Sequence, residues 1–162
     1  MKFSKVFSKV FSNVLVSSVA GLIAFIPNGH AGSNQIAQNK ELVRKFYDQA
    51  FNRHQPKEAA LAYLSEGYVQ HNPHVATGRK GFIDAFSDAG KKSDKKDESQ
   101  AVFKRFIAED DLVVLHSHKH EVPGDRGVAG VDIFRIKDGK ITEHWDVNQK
   151  IPEDSKNSNT MF

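Results

Sequence analysis

The chain of 162 residues contains no cysteine. It therefore has neither disulfide bonds nor a lipoprotein attachment site. Several catalytic signatures are also missing: a glycine-rich phosphate loop, a Gly-x-Ser-x-Gly elbow and a His-Glu-x-x-His helix. The sequence has no internal repeat and no alternation of helices and strands of the kind that builds a parallel sheet. What remains is enough chain for one ordinary domain whose chemistry must come from less familiar residue patterns.

The first 31 residues are typical of a secretory signal peptide. Three lysines, Lys2, Lys5 and Lys9, precede a mostly apolar run over residues 10–26, and Gly29 and Ala31 form a small-x-small cleavage site. We expect cleavage near Ala31 and a periplasmic or secreted protein. The alternative is an uncleaved anchor, but serines interrupt the run, which falls short of the roughly 20 apolar residues that a membrane span needs.

The excess of positive charge belongs to this leader. The leader carries three of the 23 basic residues and none of the 20 acidic ones, so the mature chain is balanced. The basic isoelectric point therefore gives no indication of a nucleic-acid partner. After cleavage we expect no membrane partner either.

The order of elements predicts an α+β fold, with helices on one face of a curved, mainly antiparallel sheet. After a tether over residues 32–38, the domain is expected over residues 39–152, followed by a polar tail over 153–162. Apolar spacing predicts a helix over 39–52 capped by Asn39, a second from Pro56 to about Leu64, and a third that ends near Gly90. Extended segments are predicted over residues 68–71, 100–108, 112–121, 131–136 and 141–147, the last two joined by an Asp-Gly hairpin turn.

Polar side chains alternate along the second arm of this hairpin. Because side chains on a strand alternate between faces, one face is expected to carry Thr142, His144, Asp146 and Asn148. The other would carry Ile141, Glu143, Trp145 and Val147, with Trp145 packed in the core or in a dimer interface. By the same rule, one side of the strand over residues 112–121 would carry His116, His118 and His120. The residues alone leave three interpretations of these histidines: a pocket wall, a metal-binding pair or a solvated face.

Four segments resemble one known family: YVQHNP over residues 68–73, Gly78-Arg79, VDIFR over 131–135 and DGKITEHWD over 138–146. They are similar to the SnoaL-like polyketide cyclases of the nuclear-transport-factor-two-like superfamily, from about Asn39 to Pro152. The Gln-His-Asn-Pro and Gly-Lys-Ile-x-Glu-His-Trp-Asp pieces resemble the subgroup described as predicted aldol-condensation enzymes.

This resemblance implies a cone-shaped α+β barrel, with three N-terminal helices against a strongly bent mixed sheet, a pocket at the wide end and a homodimer. It also implies acid/base catalysis by an aspartate of the last long strand, which corresponds to Asp146. A related epoxide hydrolase adds an Arg-x-Asp pair, matched here to His116-x-His118, and an asparagine, matched here to His71. These departures argue against epoxide hydrolysis.

The function expected from these observations is an enzyme that performs acid/base chemistry on a small carbonyl compound without a cofactor or a metal. Asp146 would move the proton, while His116, His118 and His71 would hold the carbonyl oxygen. The pocket would be completed by two orienting residues and two further lining residues: His144, Asp132, Asn72 and Tyr68.

Two alternatives stay open. The same pocket could bind a small molecule without catalysis. It could also hold a metal ion on four histidines, His71, His116, His118 and His144.

Overall fold

The structure is a computed structural model that describes residues 29–87 and 98–162. The predicted leader lies outside the described residues except for its last three positions. Gly90, the expected end of the third helix, also lies outside them. No helix within the described ranges is long and apolar enough to cross a membrane.

Three α-helices occupy the first half of the described chain. Helix α1 (Gly29–Tyr47) continues into a π-helical turn (Asp48–Asn52), and α2 (Pro56–Tyr63) and α3 (Arg79–Ser87) follow. Pro56 occupies the first turn of α2, as predicted.

The expected tether and helix cap are wrong. Residues 33–38 belong to α1, so Asn39 lies inside the helix and does not cap it. Asn39 is 3% exposed, and its side-chain Nδ2 donates to the backbone oxygen of Asp110 at 3.4 Å. A partner distant in sequence therefore satisfies a side chain that would otherwise favour a helix end.

Five strands form one open mixed sheet: β1 (Leu64–Gln70), β2 (Gln100–Glu109), β3 (Leu112–His120), β4 (Val128–Lys137) and β5 (Lys140–Lys150). Their spatial order is β1-β5-β4-β3-β2. Strand β1 runs parallel to β5, and the other neighbours are antiparallel. The predicted α+β class with helices on a curved mixed sheet is confirmed, although the sheet does not close into a full barrel.

Aromatic side chains hold the helices against the inner face of the sheet. The Phe46 ring of α1 lies 6.0 Å from Phe134 of β4 and 5.5 Å from Phe82 of α3, measured between ring centroids. Leu64 and Leu115 are fully buried in the same core. Burying a side chain of this size stabilises the fold by about 1.5–3 kcal/mol.

A β-bulge at Thr142 changes which residues of β5 face inward. Arg135 pairs with Glu143 but Ile136 pairs with Ile141, so Thr142 is the extra residue. Its Oγ1 donates to the backbone oxygen of Arg135 at 3.3 Å. Ile141 is consequently buried in the core, and the expectation that it shares a face with Glu143 is wrong. Beyond the bulge, His144, Asp146 and Asn148 all turn inward.

Candidate active site

A cavity of about 330 Å³ lies between the helices and the inner face of β4 and β5. The polar residues of β5 line it, as the hairpin pattern predicted. The register pairs Asp132 with Asp146 and Gly130 with Asn148, which brings residues of both strands to the same wall. The remaining walls are largely aromatic and include Phe46, Tyr47, Phe51, Tyr68, Phe82, Phe86 and Phe134. A cavity of this size and composition suits a small, mostly apolar organic molecule.

His116 and His118 are not part of this pocket. On β3 the fully buried residues are Val113, Leu115 and Ser117, so the two histidines lie on the opposite, outer face. Their rings pack against Phe162, with centroid distances of 5.4 and 4.4 Å. The prediction failed because residues of both parities on this strand are apolar, which left the inward face undecided.

His71 also lies on the outer face. Its Nε2 is 3.1 Å from Glu143 Oε1, and its ring stacks on Trp145 at 4.6 Å. Trp145 is therefore neither a core residue nor a pocket residue in the monomer. The neighbouring residue Asn72, and not His71, lines the pocket.

The four histidines of the metal alternative do not converge. His144 alone faces the pocket, while the other three are distributed over the outer face. Across residues 29–87 and 98–162, no group of three or more histidine or carboxylate side chains is placed to hold a metal ion. His120 lies at the pocket edge and contacts Asp125 at 2.8 Å.

Asp146 is held by two amide side chains. Asn72 Nδ2 lies 2.8 and 3.0 Å from the two carboxylate oxygens, and Asn148 Nδ2 donates to Oδ2 at 2.6 Å. Asn72 Oδ1 accepts from the backbone N–H of His74 at 2.8 Å, which fixes the orientation of the amide. A carboxylate offers about four acceptor positions. These donors therefore orient Asp146 and still leave room for a ligand.

Asp132 is the second carboxylate of the pocket and is only 2% exposed. It accepts from His144 Nε2 at 3.1 Å, Lys119 Nζ at 3.1 Å and Tyr47 Oη at 3.3 Å. Burial by itself would raise the pKa of Asp132, but the hydrogen bond from His144 and the charge of Lys119 hold this pKa below its usual value. Asp132 is therefore an ionised residue that organises its neighbours.

Lys119, like Gln70 and Tyr47, is a pocket residue that was not predicted from the sequence. Its position between two outward histidines places it on the inner face, where its side chain crosses over Gly130. A Cβ added to Gly130 would lie 2.4 Å from Lys119 Cε. A glycine in the middle of a strand often marks such a close approach, and Gly130 was the available signal.

These groups form a closed circuit of hydrogen bonds, which we call the polar ring. The Nδ1 of His144 contacts Gln70 Oε1 at 2.9 Å, and the same oxygen accepts from the backbone N–H of Asn72 at 3.0 Å. On the other side, Lys119 Nζ donates to Asn148 Oδ1 at 2.9 Å. The ring thus runs through Gln70, Asn72, Asp146, Asn148, Lys119, Asp132 and His144. A pocket whose polar groups are all partnered in this way is rigid before any ligand arrives.

Two tyrosines add hydroxyl groups to the aromatic walls. Burial raises the pKa of Tyr68, and the charges of Asp146 and Asp132 raise it further. Burial, followed by the charge of Asp132, also raises the pKa of Tyr47. Both hydroxyls therefore stay protonated at neutral pH. The Tyr68 oxygen accepts from Gln70 Nε2 at 3.0 Å, so its own O–H can donate to a ligand.

Fold and pocket together define an α+β protein with a small-molecule cavity inside a bent sheet. The SnoaL-like domain family matches residues 43–144, more than half of the chain. The chain therefore belongs to the SnoaL-like domain family. Among curated proteins, no sequence matches the chain.

Three solved structures illustrate the relationship. A candidate ketosteroid isomerase from Kribbella flavida is 20% identical, with a TM-score of 0.59 and coverage of 76% of this chain and 86% of its own. A candidate SnoaL-like polyketide cyclase from Jannaschia sp. CCS1 is 17% identical, with a TM-score of 0.55 and coverage of 69% and 85%. An epoxide hydrolase of the LEH-like type from M. tuberculosis is 16% identical, with a TM-score of 0.56 and coverage of 71% and 85%. At these identities the similarity shows a shared fold.

The residues that face the pocket remove the reason given above against epoxide hydrolysis. His116 and His118, matched to the Arg-x-Asp pair of the hydrolase, lie on the outer face and replace nothing in the pocket. The pocket in fact contains two carboxylates, Asp132 and Asp146, which Lys119 and Asn148 connect. The reaction class must therefore be judged from the pocket itself.

Proposed function

We propose that the protein is a small-molecule enzyme that moves a proton at a carbon next to a carbonyl group, without a cofactor. The observation that carries this proposal is the placement of Asp146. Its carboxylate lies in the wall of an aromatic cavity, is oriented by Asn72 and Asn148, and retains acceptor capacity. An oriented carboxylate beside an apolar substrate site is a suitable general base.

In the proposed reaction Asp146 takes a proton from the α-carbon of the bound carbonyl compound. The C–H bond breaks, its electron pair moves to the carbonyl oxygen, and an enolate forms. The enolate then attacks a second carbonyl carbon, as in an aldol cyclisation, and the new alkoxide takes the proton. In a substrate with a β,γ double bond the enolate is instead a dienolate, which is protonated at its γ-carbon while the double bond moves to the α,β position, as in an isomerisation. In both cases Asp146 returns the proton, so the enzyme is regenerated unchanged.

Tyr68 is the proposed donor to the enolate oxygen. Its O–H can point into the cavity, and its raised pKa keeps the proton on the phenol while negative charge develops on the substrate. This assignment replaces the expected role of His116, His118 and His71, which lie on the outer face. His144 and Asp132 keep the orienting role proposed from the sequence.

Proton abstraction can be measured before the natural substrate is known. The probe is 2-tetralone, a bicyclic ketone with acidic α-hydrogens, incubated in D₂O and followed by the loss of its α-hydrogen NMR signals. We expect the wild type to accelerate exchange and Asp146→Asn to lose about 10²–10⁴-fold of that acceleration, the usual contribution of a positioned base. Asp138→Asn, in the exposed hairpin turn, is the matched control. Undiminished exchange in Asp146→Asn would show that Asp146 is not the base.

The second candidate is a binding module without catalysis. One observation favours a binding module: each group of the polar ring already has a hydrogen-bond partner within the protein. In that case the wild type would bind 2-tetralone without accelerating exchange, and Asp146→Asn would change only the affinity. The exchange experiment and a binding titration on the same samples separate the two functions.

The cellular setting is also a proposal. The leader predicted over residues 1–31 supports export to the periplasm or beyond the cell. Exposed Val131 and Val147, paired neighbours on β4 and β5, support a homodimer through the outer face of the sheet. Cell fractionation and light scattering would test these two points.

A further inference from the structure

Both ring nitrogens of His144 have a hydrogen-bond partner in the pocket wall. Its Nε2 faces a carboxylate oxygen of Asp132, and its Nδ1 faces Gln70 Oε1. The Gln70 amide is not free to turn, because Oε1 also accepts from the backbone N–H of Asn72 and Nε2 donates to Tyr68. Both ring nitrogens of His144 therefore face acceptors. The imidazolium form is the one that can donate to both.

Lys119 is a second cation beside the same carboxylate. Its Nζ lies 3.1 Å from Asp132 Oδ2 and 2.9 Å from Asn148 Oδ1, and its side chain is 25% exposed. The other carboxylate oxygen, Asp132 Oδ1, lies 3.3 Å from the same Nζ, so within residues 29–87 and 98–162 its acceptors are one carboxylate and one amide oxygen. When the two carboxylate oxygens share one hydrogen and Asn148 takes the second, the third can point to a molecule in the cavity.

The pocket is consequently divided by charge. Asp132 contacts both Lys119 and His144, so its single negative charge does not neutralise the Lys119 ammonium and an imidazolium together. The compensating negative charge is Asp146, and Asn148 lies between it and Lys119. At the Lys119 end, a partly buried ammonium group favours a ligand of opposite charge.

We propose that the pocket selects a carbonyl compound that carries a carboxylate, and that Lys119 binds this carboxylate. The aromatic walls take the apolar body of the ligand, and the carbon to be deprotonated lies toward Asp146. The position of that carbon rests on the proposed function, whereas the carboxylate site is a statement about binding alone. Gly130 keeps the Lys119 ammonium in place, since any side chain there would occupy the space of its Cε and Nζ.

The test compares two probes of similar shape, naphthalene-2-acetate and the neutral naphthalene-2-acetamide, by calorimetric titration at pH 7. A hydrogen bond to a charged group contributes about 1.5–3 kcal/mol, so the wild type should bind the carboxylate at least about 10-fold more tightly. Lys119→Met should abolish this preference while the amide keeps its affinity. Lys137→Met, at the exposed end of β4, is the matched control and should behave like the wild type.

Two further variants keep the test decisive if Lys119→Met folds poorly. Lys119→Arg retains the charge and should retain the preference. Gly130→Ala retains the lysine but displaces it, and should reduce the preference. Equal affinity for both probes in the wild type, a preference that survives Lys119→Met, or no binding of either probe at millimolar concentration would overturn the proposal. In Asp146→Asn the preference should persist, so failure of the proposed base and failure of the carboxylate site are distinguishable.

Discussion

Replacing Asp132 by asparagine removes one negative charge from the most buried part of the polar ring. The substitution keeps the shape of the side chain, so packing changes little. It leaves the Lys119 ammonium and the His144 ring facing a neutral amide. The variant therefore measures what the buried carboxylate contributes to the folded state.

The expected loss of stability is large. Removing one partner of a buried ion pair costs about 3–5 kcal/mol, because the remaining charge is left without compensation. The total stability of such a domain is about 5–15 kcal/mol. We therefore expect the melting temperature of Asp132→Asn to fall by about 10–20 °C relative to the wild type.

The pH dependence gives a second, independent signature. The folded-state pKa of Asp132 lies below its usual value, so the carboxylate stabilises the fold fully above the unfolded-state pKa of about 4. This contribution is lost as the pH falls through the folded-state pKa, where the wild type becomes neutral at this position. The difference between wild type and Asp132→Asn should therefore shrink toward acid pH.

Urea unfolding followed by circular dichroism, at steps from pH 7 to pH 3, measures both signatures. Asp138→Asn is the control, because Asp138 lies in an exposed turn at φ 51°, a conformation that asparagine also adopts readily. The reasoning is refuted if Asp132→Asn loses less than about 1 kcal/mol at pH 7, or if its difference from the wild type stays constant down to pH 3.

Two further predictions concern residues outside the polar ring. Gly81→Ala should lower the free energy of unfolding in urea by about 1–3 kcal/mol, because the new Cβ would lie 2.2 Å from the backbone oxygen of Ala76. Gly67→Ala is the control and should lower it much less, because the space around Gly67 is open. Equal losses of stability in the two variants would contradict this explanation. The pKa of His116 is lowered by burial and then by the charges of Arg105 and Lys104. Arg105→Met should therefore raise this pKa toward 6.5, which an NMR titration of the His116 ring measures. An unchanged pKa would exclude Arg105 as a cause.

Much of the fold could be predicted from the sequence, because its clearest patterns depend on residues close together in the chain. The Asp-Gly turn predicted the β4–β5 hairpin, where Asp138 and Gly139 adopt the positive φ angles that such turns require. Apolar spacing predicted the helices, and the alternation on β5 predicted the inward face that contains His144 and Asp146. Each of these features depends on neighbours a few residues apart.

The missed features depend on contacts between distant residues. The face of β3 that points inward depends on which side of the sheet the helices cover. The strand itself does not indicate this side, because it has apolar residues on both of its faces. The bulge at Thr142 shifts the register against β4, so it cannot be seen in β5 alone. Lys119 belongs to the pocket because Gly130, eleven positions later, leaves space for it.

The closed form of the polar ring has a consequence for the evolution of this pocket. Every member orients two neighbours, so a substitution at one position changes the proton donors and acceptors offered at the next. The Gln70 amide, for example, determines what the His144 ring must offer: an amide oxygen facing Nδ1 requires an N–H there, whereas an amide N–H would require an unprotonated nitrogen. A new substrate preference could therefore arise through coordinated replacement of several ring members, while the aromatic walls, which impose no such pairing, are free to change one residue at a time.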